Sequence, residues 1–103
     1  IATFNEWTSL GVSYAIRDLG LAEETSVVAF DSNVVCVGML ETGEVDALIV
    51  QNPYAMGYLG VECAYNLINE IPIEDSQVDT ATTAITRENM FEEDCQKVLF
   101  SFD

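Results

Sequence analysis

The sequence predicts an α/β domain: a mainly parallel sheet with flanking helices. Three observations lead there. Short strand-forming runs, Ile1–Phe4, Ser26–Phe30 and Asp46–Gln51, alternate with longer stretches of helical periodicity. Ser26-Val-Val-Ala-Phe30 is a nearly continuous apolar run, the pattern of a strand covered on both faces in a parallel sheet. Each of the three runs also ends on an amide or carboxylate side chain, Asn5, Asp31 and Gln51, directly ahead of helix-forming sequence. The resulting order, β-α-β-α-β-α-β-α, is that of a layered α/β structure.

Each element has its own signal. Ile1-Ala-Thr-Phe4 reads as a strand already under way, with Asn5-Glu6 at its carboxyl end. A helix follows from about Trp7 to Leu19, with Leu10, Tyr14, Ala15 and Leu19 at helical spacing and Arg17 and Asp18 on a wetter face. Gly20 ends it as a C-terminal cap residue. Gly11, near its start, is where close packing on a sheet favours a missing side chain. Glu23-Glu24-Thr25 is a loop, and Ser26–Phe30 is the second strand. Asp31-Ser-Asn33 caps a short helix from Val34 to about Glu41, which Thr42-Gly43 terminates.

Asp46–Gln51 is the third strand. Asn52-Pro53 then opens a long helix to about Asn69, since Asn is a good N-cap and Pro fits the first helical position. That helix is apolar over most of its circumference, through Met56, Tyr58, Leu59, Val61, Cys63 and Tyr65 among others. It therefore needs more cover than one sheet face supplies. Ile71–Ser76 is turn-rich, and Thr80–Thr86 is a Thr-rich edge strand. Thr86 caps a last helix, Arg87 to Phe100, with Glu88, Glu92 and Glu93 near its positive end.

Composition narrows the function. With 103 residues, half of them apolar, the chain is one globular domain at most. Eighteen acids against Arg17, Arg87 and Lys97 give a formal charge of −15. Three basic residues cannot form a phosphate-neutralising patch, so nucleic acid is excluded as a partner and an anionic membrane surface is disfavoured. No apolar run reaches membrane-spanning length, and the first residues lack the features of a signal peptide. A sequence that opens mid-strand is expected to be part of something longer.

Cys36, Cys63 and Cys95 are widely spaced without a CxxC pair, and read as small buried hydrophobes. There is no histidine, no Gly-rich phosphate loop and no nucleophile signature, so no metal, no cofactor and no enzyme activity are expected. What remains is the set Asn5, Asp31 and Gln51. In a parallel sheet their positions converge on the carboxyl edge, where open α/β sheets bind ligands. Amides that donate and accept, beside an accepting carboxylate, suit a neutral polyhydroxylated ligand. The same residue types also serve as helix N-caps, and both readings stand on the sequence alone.

The order Asn5-Glu-Trp-Thr-Ser-Leu-Gly11, Val27-Val-Ala-Phe-Asp31, Val45-Asp-Ala-Leu-Ile-Val-Gln-Asn-Pro-Tyr-Ala-Met-Gly57 and Thr86-Arg-Glu-Asn89 resembles the C-terminal third of periplasmic sugar-binding proteins of the ribose-binding type. These proteins serve ABC importers and have a LacI-like, type I periplasmic-binding fold. The Asp46–Tyr54 block is its most specific part. The resemblance implies an incomplete C-terminal lobe from residues 1–51 and 80–103. Residues 52–79 would cross to an N-terminal lobe, which hinges closed over the sugar.

The resemblance further implies that Asn5, Asp31 and Gln51 hydrogen-bond sugar hydroxyls. Trp7 matches no sugar contact and is expected to pack in the core or on the surface. The implied partners are the sugar and the importer's membrane subunits. The implied location is extracytoplasmic, in the periplasm or on a Gram-positive cell surface as a lipoprotein. Alone, the chain is expected to self-associate through the long helix, by a helix swap hinged at Gln51–Pro53 or by another pairing. The alternative is the effector-binding domain of a LacI-type transcriptional regulator, which shares the two-lobe fold.

Overall fold

A computed structural model of the chain describes residues 1–100. Among these, four helices and a three-stranded mixed sheet form: α1 (Glu6–Leu19), β1 (Val28–Phe30), α2 (Val34–Thr42), β2 (Ala47–Val50), α3 (Pro53–Ile68), β3 (Thr83–Thr86) and α4 (Glu93–Leu99). The strand order is β1-β2-β3, with β1 parallel to β2 and β3 antiparallel on the other side of β2. The chain divides into two compact units. The first comprises residues 1–50 with the segment from Thr83 onward, and the second is Gln51–Thr82.

The first unit holds the core. Ala29, Leu48 and Ile85 form one rung across all three strands, and none of the three is exposed. Ile16 of α1, Cys36, Met39 and Leu40 of α2, and Cys95 and Leu99 of α4 join them in a single apolar cluster. β1 alternates instead of being covered on both faces: Ala29 is buried, Phe30 half-buried and Val28 exposed. The apolar run Val27–Phe30 thus marks a strand with one covered face in this chain.

α1 corrects the predicted face. Its core side is Ser9, Ser13 and Ile16, while Tyr14 and Leu19 are exposed. Periodicity counts serine as wet, but a buried serine bonded to backbone lets a helix approach a sheet closely. Ser13 Oγ donates to the Ser9 carbonyl at 2.6 Å. Gly11 faces open space and makes no close approach. Trp7 is 79 % exposed and so lies on the surface.

Ile1–Phe4 pairs with β1 through one parallel bridge, Ala2 to Val28, and does not extend into a full strand. The predicted last helix is also shorter. Thr86 does not cap it. The Asn89 side chain accepts from the Thr86 N–H at 2.7 Å and donates to the Ala84 carbonyl, closing a turn that delays α4 to Glu93. Of the cysteines, Cys36 and Cys95 are buried and Cys63 half-buried, all as free thiols. Burial pushes the Cys36 thiol upward in pKa, opposed by the Ser13 hydroxyl and reinforced by the Glu6 charge, which disfavours the thiolate.

The turn after α2 closes on Gly43 at φ 101°, a backbone setting that favours glycine. Beside it, Thr42 Oγ1 donates to Glu44, and Arg17 Nε pairs with Glu44 at 3.3 Å. The Thr42 hydrogen bond, with Arg17 adding to it, holds the Glu44 carboxyl below the usual glutamate range against some desolvation. Because the folded value lies below the unfolded one, the unfolded state binds more protons through that window. The contribution is full above the unfolded value and is lost as pH falls through the folded value. Glu44→Gln should therefore lose less stability than the parent sequence on acidification from about pH 5 to about pH 3. Chemical denaturation at stepped pH measures it, and parallel acid limbs would show that Glu44 contributes nothing.

The second unit is α3 and the connection after it. Asn52 caps α3, its Oδ1 accepting from Ala55 N at 3.0 Å, with Pro53 in the first turn. No residue of α3 is buried. Tyr54 and Tyr58 stack with ring centroids 6.4 Å apart, both exposed. On another face, Met56, Leu59, Cys63, Ile73 and Val78 line a cavity of about 660 Å³. The apolar circumference read from the sequence is thus largely uncovered within this unit.

Candidate functional site

The carboxyl edge of the sheet is built by three segments running the same way. The first residues run parallel to β1, with the Val28 N–H on the Ile1 carbonyl at 2.8 Å and the Thr3 N–H on the Val28 carbonyl at 3.0 Å. β1 runs parallel to β2. Asn5 follows the first segment and Asp31 follows Phe30, the last residue of β1. Gln51 directly follows Val50, the last residue of β2, and begins the second unit. Asn5 is exposed, while Asp31 and Gln51 are half-buried.

The helix-cap reading separates these three residues. Asn5 does cap α1: its Oδ1 accepts from Thr8 N at 2.9 Å while Thr8 Oγ1 accepts from Asn5 N, a reciprocal capping box. That cap uses Oδ1 and leaves the Nδ2 donors outside it. Asp31 does not cap α2, because Asn33 does, its Oδ1 accepting from Val35 N at 2.9 Å. Gln51 does not cap α3, because Asn52 does.

Asp31 is unusual in its backbone. Its φ is 73°, in the left-handed region, and its N–H donates to the Ile49 carbonyl at 2.9 Å. Non-glycine residues occupy that region at some cost, and such residues concentrate at functional positions. Sequence periodicity carries no sign of this conformation. Nearby, the Glu6 carboxylate accepts from Asn33 Nδ2 at 2.5 Å, linking the start of α1 to the cap of α2. This end of the first unit therefore offers carboxylate acceptors and amide donors, with no basic group among Asn5, Glu6, Asp31 and Asn33. Such groups hydrogen-bond hydroxyls and are poorly matched to anions.

Ser9 is the residue that sequence reasoning missed. It has no exposed surface, and its Oγ lies 2.7 Å from Thr3 Oγ1, 2.7 Å from the Asn5 carbonyl and 2.9 Å from the Phe30 N–H. A serine four residues past an N-cap looks ordinary in a sequence. Among the described residues no group of three or more His, Cys, Asp or Glu side chains is arranged to hold a metal, and no helix is long and apolar enough to cross a membrane.

Comparison with known proteins places this architecture. A carbohydrate transporter solute-binding protein from Agrobacterium radiobacter, solved in complex with D-arabinose, superposes with TM-score 0.88 at 29 % identity, over 96 % of this chain and 33 % of that one. An ABC transporter solute-binding protein from Agrobacterium vitis with bound D-fucose gives 0.84 at 29 %, over 96 % and 33 %. The periplasmic component of an ABC-type sugar transport system from Hahella chejuensis gives 0.76 at 34 %, over 82 % and 30 %. The chain thus spans about a third of the length of these structures. No curated protein matches. The family model for the periplasmic binding protein domain matches residues 1–71, which takes in both parallel strands and all three strand-end polar residues, and the chain belongs to that family.

Proposed function

We propose that this chain is the C-terminal part of an extracytoplasmic sugar-binding protein that delivers its ligand to the membrane subunits of an ABC importer. Asn5, Asp31 and Gln51 supply hydrogen bonds to sugar hydroxyls, with no cofactor and no catalysis. Residues 1–51 and 80–103 belong to one lobe, and 52–79 cross toward the other. Residues 101–103 lie outside the described structure. The observation that carries the reading is Asp31, a half-buried carboxylate at the carboxyl end of a parallel strand, held at φ 73°. The sugar-transport neighbours at 29 % and 34 % identity favour this reading over a transcriptional regulator of the same fold.

The test is a thermal-shift screen of the longer protein against pentoses and hexoses, including D-arabinose and D-fucose. A ligand that binds only the native state raises the apparent melting temperature. A shift with one or more sugars supports the assignment, and a flat response across the panel removes it.

The isolated 103-residue chain is expected to give no shift, because an enclosed site gains affinity by surrounding its ligand. It is also expected to self-associate through α3. Tyr54, Tyr58 and Tyr65 are each about 60 % exposed, and an aromatic side chain carries roughly 150–250 Å². These three alone therefore offer about a third to a half of the ~800 Å² per partner of a stable interface. Sedimentation at micromolar concentration checks this, and a monomer that binds sugar would contradict both expectations.

A further inference from the structure

We propose that Ser9 is a positioning residue for the ligand edge, its buried hydroxyl holding the Asn5 and Asp31 segments in register. The proposal rests on the sugar-site reading above. The starting point is the parallel pairing of the first segment with β1. Its two rungs are the Val28 N–H on the Ile1 carbonyl and the Thr3 N–H on the Val28 carbonyl. In a regular parallel ladder the next rungs would put the Phe30 N–H on the Thr3 carbonyl and the Asn5 N–H on the Phe30 carbonyl. Neither forms. The Asn5 N–H turns to Thr8 Oγ1 in the capping box, and the Phe30 N–H goes to Ser9 Oγ at 2.9 Å.

One hydroxyl stands in for the missing rung. A serine oxygen has one proton to give and two lone pairs to accept with. Here it gives its proton to the Asn5 carbonyl at 2.7 Å, the shorter of its two backbone options, the Phe30 carbonyl being 3.2 Å away. It accepts from the Phe30 N–H at 2.9 Å and shares a hydrogen bond with the Thr3 hydroxyl at 2.7 Å. Its capacity is filled, and no part of it meets solvent. The hydroxyl therefore grips the backbone of one candidate ligand residue, Asn5, and of the residue just before another, Asp31.

This matters most for Asp31. A non-glycine residue at φ 73° stays there only when its surroundings over-determine it. Its own N–H is fixed by the Ile49 carbonyl, and Ser9 fixes the peptide before it. Ser13 supplies the internal comparison. It is equally buried on the same helix face, yet its hydroxyl bonds only the Ser9 carbonyl and, at 3.8 Å, Cys36 Sγ. A purely structural role predicts that losing either hydroxyl leaves ligand affinity alone. A positioning role predicts that only Ser9 matters.

The experiment compares Ser9→Ala and Ser13→Ala in the longer protein by calorimetry with D-arabinose and D-fucose, and by amide hydrogen exchange without sugar. Ser9→Ala is expected to weaken sugar binding about tenfold, the scale of one hydrogen bond, while Ser13→Ala changes it less than about twofold. The Phe30 amide should exchange faster in Ser9→Ala only. If Ser9→Ala does not fold, Ser9→Cys leaves no cavity, with a slightly larger and weaker hydrogen-bonding group, and carries the same expectation. Unchanged affinity in a folded Ser9 variant, or equal losses in both variants, overturns the positioning role. If the parent protein binds neither sugar nor any of the panel, the site reading fails instead, and the inference falls with it.

Discussion

Asp31→Gly in the longer protein should weaken sugar binding by roughly 1.5–3 kcal/mol, about ten- to a hundredfold, with the fold intact. The size is that of one hydrogen bond to a charged group, lost from the proposed sugar site. Survival of the fold follows from the backbone. At φ 73° glycine carries no steric penalty, and the cap of α2 belongs to Asn33, so neither the turn nor the helix loses its determinant. Asp31→Ala makes the companion measurement. It removes the same carboxylate but keeps the Cβ that Asp31 already holds in the left-handed region, and so keeps the roughly 1–2 kcal/mol of strain that glycine relieves. Both variants should lose affinity, and the glycine variant should be the more stable of the two by about that amount. A folded Asp31→Gly protein with parental affinity by calorimetry would falsify the ligand role of Asp31.

The sequence makes these expectations possible because strand ends and helix caps are local signals. Asn52-Pro53, Asn33 and Gly43 sit where cap chemistry puts them, and the three strand-end residues could be named from the β-α order alone. What could not be read is whatever depends on which face meets which neighbour. The core side of α1 is Ser9, Ser13 and Ile16, because bonded hydroxyls pack against a sheet as readily as methyl groups do. The first strand stops at a single bridge because the Phe30 N–H finds Ser9 in place of the next rung. The last helix starts late because Asn89 competes for the backbone at Thr86. The left-handed setting of Asp31, whose N–H bonds the Ile49 carbonyl across the sheet, is not written in the hydrophobic pattern of the strand before it.

The two units should respond unequally to the same side-chain truncation. Leu48 sits in the central strand, fully buried, between Ala29 on one side and Ile85 on the other. The Ala29 methyl group has no rotamer with which to fill the gap, so a Leu48→Ala cavity stays open and should cost about 3–5 kcal/mol, toward the upper part of the range for such changes. That is a large fraction of the ~5–15 kcal/mol that holds a typical domain folded. Leu59 of α3 is 38 % exposed and packs in no buried cluster, so Leu59→Ala should cost less than about 1 kcal/mol. Native-state hydrogen exchange resolves the two cases by residue. Leu48→Ala should speed exchange together at the β1, β2 and β3 amides, since one rung joins all three strands. Leu59→Ala should leave those amides at their parental rates. Equal effects of the two substitutions on the sheet amides would show that the difference in burial between Leu48 and Leu59 does not set the response.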